Sequence, residues 1–419
     1  MTGFRWVNKW ILVLSVCLLP PAALAQGRSS PKPQATKSPY SHCPSAQLPG
    51  RGEDDALAVS QGLTDVPFEP THANFLTSDK STLVGVWGDS HTASGDFMFA
   101  ALQQWGIAKN HVRPGLIQPA FQLSGVRLPI KKFCLSEGWK TFHAQREPTH
   151  SAGFTQTLLQ LRSETPNDFV WIDFRHPNDN VLLSQLKVHY TSQGAGGPLV
   201  IAISVDNQQE HYFRGKTDAP SLLQINSEQP FAMVRLRLVS GQISIQGFAP
   251  LYAEPSSVVL DIFSTPGAMA KVWKDNTPQI VGKPYNVVIF QYGTNEAMTS
   301  DFNENKYSKE LRRSLSIFKA LHPNARCIVI GPPIRGGKSN PEKTPFNLIH
   351  QDINQVQATA AKEQGCQAWN WQASLQSKGN VKNLLSHTPP FIKLDMVHFS
   401  KEGYEFSGQM FAKMTPWKN

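Results

Sequence analysis

The stretch TLVGVWGDSH, residues 82–91, indicates how this chain folds. Its first six residues form a short apolar run, which is typical of a strand buried on both faces of a sheet. The run ends at the segment GDSH, residues 88–91, and an amphipathic segment over about 93–105 then predicts a helix. A buried strand that leads directly into a helix is the building unit of a parallel sheet covered by helices.

The C-terminal third of the sequence repeats this alternation. Strands are predicted over 286–292, 327–330 and 366–371. One helix is predicted over about 347–364, and another from the apolar face that runs from Tyr307 to Leu321. Strands and helices that alternate at this spacing predict an α/β fold, with helices on both faces of a parallel sheet.

The middle of the chain has a different pattern, with short strands, frequent turn residues and no long helix. This pattern predicts an antiparallel β-sandwich inserted into the α/β domain. We therefore assign 81–144 and 254–419 to the α/β domain and 145–253 to the insert. The predicted strands of the insert are 169–174, 186–190, 199–205, 210–213, 232–239 and 242–248.

The N-terminal residues predict export. Residues 1–25 have the pattern of a signal peptide, with Arg5 and Lys9 ahead of an apolar run over 11–19. Residues 26–80 are interpreted as a lead-in segment. We expect a periplasmic or otherwise secreted protein, without stable membrane insertion after cleavage, because no apolar run is long enough to span a bilayer.

Composition narrows the classes of partner. The 419 residues carry a formal net charge of +9, which falls to near +7 without the two positive charges of the signal peptide. No basic block concentrates this charge, so a nucleic-acid partner is not expected. Attraction to an acidic polymer of the cell envelope fits better.

Four cysteines remain after the predicted signal peptide, and export permits disulfides. Four cysteines allow three connectivities, among which the sequence does not choose. The simplest pairs Cys327 with Cys366, because each opens a predicted strand in the same region, and leaves Cys43 with Cys134. No cysteine or histidine spacing typical of a metal site occurs, so neither a metal nor another cofactor is expected.

Ser90 is the first candidate for chemistry. It follows a buried strand, and open parallel sheets bind ligands at the carboxyl ends of their strands. A serine where a helix begins also lies beside backbone N–H groups that can stabilise an oxyanion. Serine is equally common there as a helix cap, so the motif alone leaves both interpretations open.

Asp395 and His398, in the segment DMVH, form the second candidate. A histidine base needs a carboxylate to hold its tautomer and to stabilise the imidazolium ion. In a tight turn Asp395 can reach Nδ1 of His398, which leaves Nε2 free to face a serine hydroxyl. Ser400 is placed to cap a helix that begins at about Lys401. Taken alone, the segment fits a surface loop better than a catalytic pair.

Asn295 and Gly267 are the remaining candidates. Asn295 follows the strand predicted over 286–292, so its amide can point to the same sheet edge as Ser90. Gly293 permits the close approach of a backbone or a ligand. Gly267, in the segment TPGA, can supply another N–H donor. Each segment could also be a plain turn.

In this order, the four blocks resemble those of the SGNH/GDSL hydrolases. The resemblance covers about 81–145 and 250–419. It implies a flavodoxin-like sheet, with Ser90 as nucleophile, His398 as base and Asp395 as the residue that orients the base.

The resemblance also implies an oxyanion hole formed by the N–H groups of Ser90 and Gly267 and the side chain of Asn295. Ser90 and Asn295 lie 205 residues apart, far more than in compact members of the family, and the excess matches the β-rich middle. An SGNH domain interrupted by a carbohydrate-binding-module-like sandwich resembles the Ape-type peptidoglycan O-acetylesterases. His91, where leucine is usual, and the segment GTNE fit the same branch.

The implied function is a secreted serine esterase that removes O-acetyl groups from an envelope glycan, with O-acetylated peptidoglycan as the first candidate substrate. Two alternatives stay open. The same triad can transfer acetyl groups to a glycan hydroxyl, or the sandwich can bind glycan while the α/β domain is a non-catalytic scaffold. The sequence does not determine the sugar hydroxyl or the oligomeric state.

Overall fold

A computed structural model describes residues 63–67, 81–147, 153–194, 197–217, 219–299, 302–339 and 343–416. The predicted signal peptide and most of the predicted lead-in segment lie outside these ranges. Among the described residues, no helix is both long enough and apolar enough to cross a bilayer.

The described residues form seventeen strands and seven α-helices. The strands are β1 Leu63–Pro67, β2 Thr82–Gly88, β3 Val112–Arg113, β4 Lys132–Leu135, β5 Lys140–His143, β6 Leu159–Ser163, β7 Phe169–Asp173, β8 Leu183–Thr191, β9 Val200–Val205, β10 His211–Arg214, β11 Ser221–Phe231, β12 Met233–Ser240, β13 Ile243–Tyr252, β14 Val258–Ile262, β15 Val287–Gln291, β16 Arg326–Ile330 and β17 Gln367–Trp369. The helices are α1 Asp96–Gln104, α2 Val272–Asp275, α3 Glu304–Leu321, α4 Phe346–Glu363, α5 Trp371–Ser374, α6 Val381–Ser386 and α7 Lys401–Met414.

Six strands form a parallel sheet in the spatial order β17-β16-β15-β2-β14-β3. Every pairing in this sheet is parallel. Apart from the two-residue edge strand β3, the order is 2-1-3-4-5 in terms of chain sequence, which is the flavodoxin-like topology. The predicted flavodoxin-like sheet is therefore confirmed.

Strand β2 is buried from both sides, as its apolar run predicted. Val84 and Val86 pack in one core with residues of α1 and α7. Leu83 and Trp87 point to the other core, which contains residues of α2, α3 and α4. Because successive side chains of a strand alternate between the two faces, a continuous apolar run is required here.

Helix α7 packs against α1 at Gly408, a residue of α7 that has no side chain. An ideal Cβ on Gly408 would lie 2.1 Å from the carbonyl oxygen of Phe97. Glycine therefore allows the two backbones to approach more closely than any other residue would. The contact matters for position, because Ser90 lies shortly before α1 and His398 lies shortly before α7.

The remaining eleven strands form two antiparallel sheets, β1-β11-β8-β13-β6-β5 and β10-β9-β12-β7-β4. Both contribute side chains to one apolar core, which also takes in residues of the segment between β3 and β4. The predicted antiparallel sandwich is confirmed.

The insert begins earlier than the predicted residue 145. Strands β4 and β5 pair with β7 and β6 inside the sandwich, so Lys132 already belongs to it. Strand β1, from the predicted lead-in segment, pairs with β11. Strands of four or five residues with mixed polarity are too short to show a period of two, so sequence analysis missed them. At the C-terminal side of the insert, β13 ends at Tyr252 and β14, which belongs to the parallel sheet, begins at Val258.

A disulfide joins Cys327 to Cys366, as predicted. It links the start of β16 to the residue before β17, its neighbour in the parallel sheet. Cys134 is also disulfide-bonded, and its predicted partner Cys43 lies outside the described residues.

Replacing Gly408 by alanine is expected to destabilise the fold by about 1–3 kcal/mol, because the added Cβ meets the Phe97 carbonyl oxygen. In an ordinary helix the same change stabilises by about 1 kcal/mol, so the sign of the effect identifies the contact. Urea titration measures the free energy of unfolding. Gln409→Ala, at an exposed position of the same helix, is the control, and a Gly408→Ala variant as stable as the wild type would contradict the close packing.

Candidate active site

Three predicted side chains lie in a hydrogen-bonded line. Nε2 of His398 is 3.0 Å from Oγ of Ser90, and Nδ1 of His398 is 2.8 Å from Oδ2 of Asp395. With Nδ1–H donating to the carboxylate, Nε2 is free to accept the serine proton. The geometry is that of a nucleophile, a base and a carboxylate that holds the base.

The turn that carries Asp395 is built to keep its carboxylate in place. Oδ1 of Asp395 accepts hydrogen bonds from the backbone N–H groups of Val397 and His398, both at 2.9 Å. Beyond the turn, Oγ of Ser400 accepts from the N–H of Gly403 and caps α7, as predicted. Desolvation raises the pKa of Asp395, but the hydrogen bonds from the His398 ring and the two backbone N–H groups outweigh it, and the net pKa is lowered. The carboxylate is therefore ionised at neutral pH.

Ser90 lies where the topology of the sheet reverses. It follows β2, and the neighbouring strand β15 leads to Asn295. After β2 the chain adds β14 on one side and then β15 on the other, so the strand order reverses at β2. Ligands of such sheets bind in the crevice at this switch point. The sheet order thus places the nucleophile candidate at the expected crevice.

Gln291, which sequence analysis did not single out, ties the strand ends together beneath this crevice. Its Oε1 accepts hydrogen bonds from the N–H of Asp89 at 3.2 Å and from the hydroxyl of Thr92 at 3.1 Å. The Thr92 hydroxyl also lies 2.7 Å from Oγ of Ser264, two residues after β14. Gln291 is fully buried at the last position of β15. In the sequence it is only the end of a buried strand, so the pattern does not indicate its role.

The three predicted oxyanion donors follow three neighbouring parallel strands, β2, β14 and β15, at this edge. Nδ2 of Asn295 donates to the carbonyl oxygen of Ala268 at 2.9 Å, which holds the amide next to Gly267. The second proton of this amide and the backbone N–H groups of Ser90 and Gly267 donate to no acceptor among the described residues. Gly267 has φ 80° and is exposed. N–H groups left uncommitted at one edge are available to a developing oxyanion.

Glu296 supports the two turns that carry these donors. Its Oε1 accepts from the N–H of Ala270 at 2.7 Å, and its Oε2 accepts from the N–H of Gly293 at 3.0 Å. Desolvation by burial raises the pKa of Glu296 to about 7, although both hydrogen bonds oppose the rise. The sequence signal for this residue was its place after Asn295, which does not reveal the turn it reaches.

His91 packs behind the catalytic candidate His398. The two ring centroids are 5.7 Å apart, and Trp371 and Tyr404 contact His91 from other sides. Burial, followed by the charge of His398, lowers the pKa of His91 well below its usual value. A neutral imidazole is therefore fixed beside His398 without competing for its proton.

No set of three or more histidine, cysteine, aspartate or glutamate side chains in the described part of the chain could hold a metal ion. The chemistry available at this edge is that of a serine nucleophile with a histidine base and N–H donors.

Residues 240–406 match the model of the GDSL-like lipase/acylhydrolase family. The fold resembles a solved peptidoglycan O-acetylesterase, with a TM-score of 0.60 and 15% identity over 84% of this chain and 97% of that chain. The family model and this structure confirm the resemblance to SGNH/GDSL hydrolases.

Two further solved structures are more distant. A lipase/acylhydrolase from Enterococcus faecalis has a TM-score of 0.30 and 15% identity over 38% of this chain and 75% of that chain. A family two carbohydrate esterase from Clostridium thermocellum has a TM-score of 0.28 and 12% identity over 68% of this chain and 97% of that chain. Scores this low carry no weight for the fold. No curated protein sequence matches the chain.

The raised pKa of Glu296 predicts a pH effect on stability. Its folded pKa of about 7 exceeds its ordinary value of 4.5, so between these values the folded state holds more protons than the unfolded state. This carboxyl therefore lowers the free energy of unfolding as the pH rises, by up to about 1.4 kcal/mol per pH unit.

Glu296→Gln removes that titration. We therefore compare the free energy of unfolding of the wild type with that of the variant. The wild-type value minus the variant value should decrease as the pH rises from about 5 to about 8. Urea titrations of both proteins at the two pH values measure the difference. A constant offset from altered hydrogen bonds cancels, and a difference that does not change with pH would contradict the raised pKa.

Proposed function

We propose that this chain is an exported serine esterase that removes O-acetyl groups from an envelope glycan, with O-acetylated peptidoglycan as its substrate. The observation that carries the proposal is the hydrogen-bonded line from Asp395 through His398 to Ser90, whose own backbone N–H donates to no acceptor among the described residues. The same arrangement performs acyl transfer on unrelated folds, so it is recognised by its geometry.

In the first step, Nε2 of His398 takes the proton of the Ser90 hydroxyl while the serine oxygen attacks the acetyl carbonyl carbon. The carbonyl oxygen becomes an oxyanion, which accepts hydrogen bonds from the N–H groups of Ser90 and Gly267 and the amide of Asn295. Collapse of the intermediate breaks the bond to the sugar oxygen. His398 returns its proton to that oxygen, and the sugar leaves as an alcohol.

In the second step, water attacks the acetyl group on Ser90. His398 takes a proton from the water and then returns it to the serine oxygen, while acetate departs. Asp395 remains ionised throughout, because its role is to hold the Nδ1–H tautomer and stabilise the imidazolium ion.

The openness of the site supports a polymer substrate. The side chains of His398 and Asp395 are 38% and 47% exposed, so the base lies at the surface and not at the bottom of a narrow cavity. A glycan chain can lie across such an edge and present an acetyl group from its side. The likeness in fold to a peptidoglycan O-acetylesterase favours peptidoglycan among envelope glycans, and the positive net charge favours an acidic polymer.

Ser90→Ala is expected to lower acetate release from O-acetylated peptidoglycan by at least about 10³-fold, because the nucleophile is lost. Released acetate is measured directly, with Ser377→Ala at an exposed position as the control. Full activity of Ser90→Ala would overturn the mechanism. Acetylated oligosaccharide in place of free acetate would instead identify a transferase.

Asp395→Asn is expected to lower kcat by about 10²–10⁴-fold, because an amide facing Nδ1 of His398 can hold the wrong tautomer. The asparagine keeps an oxygen for the N–H groups of Val397 and His398, so the turn itself should persist. Hydrolysis of an aryl acetate measures kcat. Leu394→Ala, at the exposed neighbouring position, controls for general disturbance of the turn, and equal losses in both variants would count against the proposed role of Asp395.

A further inference from the structure

Three consecutive residues of the inserted sandwich reach into the α/β domain beside the site. They are His143, at the end of β5, and the two residues that follow it, Ala144 and Gln145. Ala144 is fully buried in the core of the α/β domain, and its carbonyl oxygen accepts a hydrogen bond from Nδ2 of Asn276 at 3.2 Å. The end of β5 is therefore anchored in both domains.

Gln145 binds the turn that carries Gly267 at two points. Its Nε2 donates to the carbonyl oxygen of Gly267 at 3.2 Å, and its Oε1 accepts from the N–H of Met269 at 2.6 Å. Each contact uses one end of the amide, so the side chain fixes both the position and the tilt of the turn.

His143 holds the start of the same turn. Its Nδ1 accepts from the N–H of Gln145 at 3.0 Å, which leaves Nε2–H to donate to the hydroxyl of Thr265 at 2.8 Å. The N–H of Thr265 in turn donates to the carbonyl oxygen of Gly88, two residues before Ser90. The turn is thus connected to the sandwich on one side and to the nucleophile segment on the other.

The orientation of Asn295 depends on this turn as well, because its amide donates to the carbonyl oxygen of Ala268. Displacing the turn would therefore move two of the three oxyanion donors together, the N–H of Gly267 and the amide of Asn295. The Glu296 carboxylate holds only the far end, through Ala270. Gly267 itself is exposed, and nothing lies within 4 Å of where its Cβ would be, so no packing restrains it.

We propose that Gln145 is a positioning residue for the oxyanion hole, so that the inserted sandwich takes part in catalysis by holding the turn at 265–269. This inference rests on the proposed function. It gives the insert a role that requires no binding of glycan by the sandwich.

The expected loss follows from the cost of a misplaced donor. Removing one oxyanion donor lowers kcat by about 10²–10³-fold, and a displacement of about 1 Å costs up to about 10²-fold. Gln145→Met keeps the length of the side chain and removes both hydrogen bonds. We expect it to lower kcat by about 10–10²-fold on an aryl acetate, with KM nearly unchanged because the donors act on the transition state.

Gln145→Glu is the second variant. It keeps an acceptor for the N–H of Met269 and loses the donor to the carbonyl oxygen of Gly267, so a loss of kcat smaller than that of Gln145→Met is expected. Gln209→Ala, at an exposed position of the sandwich, is the control. An aryl acetate is too small to reach a distant glycan site, so loss of glycan binding cannot produce the same result.

Hydrogen exchange at 265–269 provides a readout that is independent of activity. We expect faster exchange of the Met269 amide in Gln145→Met, because its acceptor is gone. Unchanged exchange, or faster exchange with unchanged kcat, would overturn the inference. A wild type without Ser90-dependent hydrolysis would overturn the proposed function instead, and the exchange data would still decide whether Gln145 holds the turn.

Discussion

The site depends on the close packing of α1 against α7. Ser90 and His398 are separated by 308 residues, and each lies just ahead of one of these helices. The missing side chain at Gly408 lets the two backbones meet at the Phe97 carbonyl. Because α1 follows the strand that carries Ser90 and α7 follows the turn that carries His398, this contact sets the separation of the two. A hydrogen bond of 3.0 Å tolerates little error in it.

Around this contact, buried polar groups hold loops in place at a cost. Asp89 accepts the N–H of His91 at 2.9 Å, and burial raises the pKa of Asp89 to about 6. Burial also raises the pKa of Glu296, to about 7, and repulsion from the charge of Asp89 adds to the rise. Both carboxyls are less stable ionised than they would be in water. In return, these buried carboxylates accept hydrogen bonds from backbone N–H groups of the turns next to Ser90 and Asn295.

The inserted sandwich is more than an appended domain. Its core is separate from the two cores that flank the parallel sheet, yet Ala144 is buried in one of those and Gln145 binds the turn at 265–269. An insertion that interrupts the α/β domain between β3 and β14 emerges at the same sheet edge as the site. The end of β5 lies next to the turn at 265–269, to which His143 and Gln145 are hydrogen-bonded.

The sequence by itself determined the alternation of strands and helices, the inserted sandwich and the candidates that meet at Ser90, whereas the structure chose the Cys327–Cys366 pair among three possible connectivities. These features leave local patterns, either apolar periodicity or polar residues at strand ends. Only the tertiary structure decided that Gln291, Glu296 and Gln145 support those candidates, and that β1, β4 and β5 belong to the sandwich. Gln145 lies 122 residues from Gly267. A hydrogen bond between two distant turns leaves no trace in hydrophobic periodicity, because a polar side chain such as that of Gln145 is equally compatible with a solvent-exposed loop.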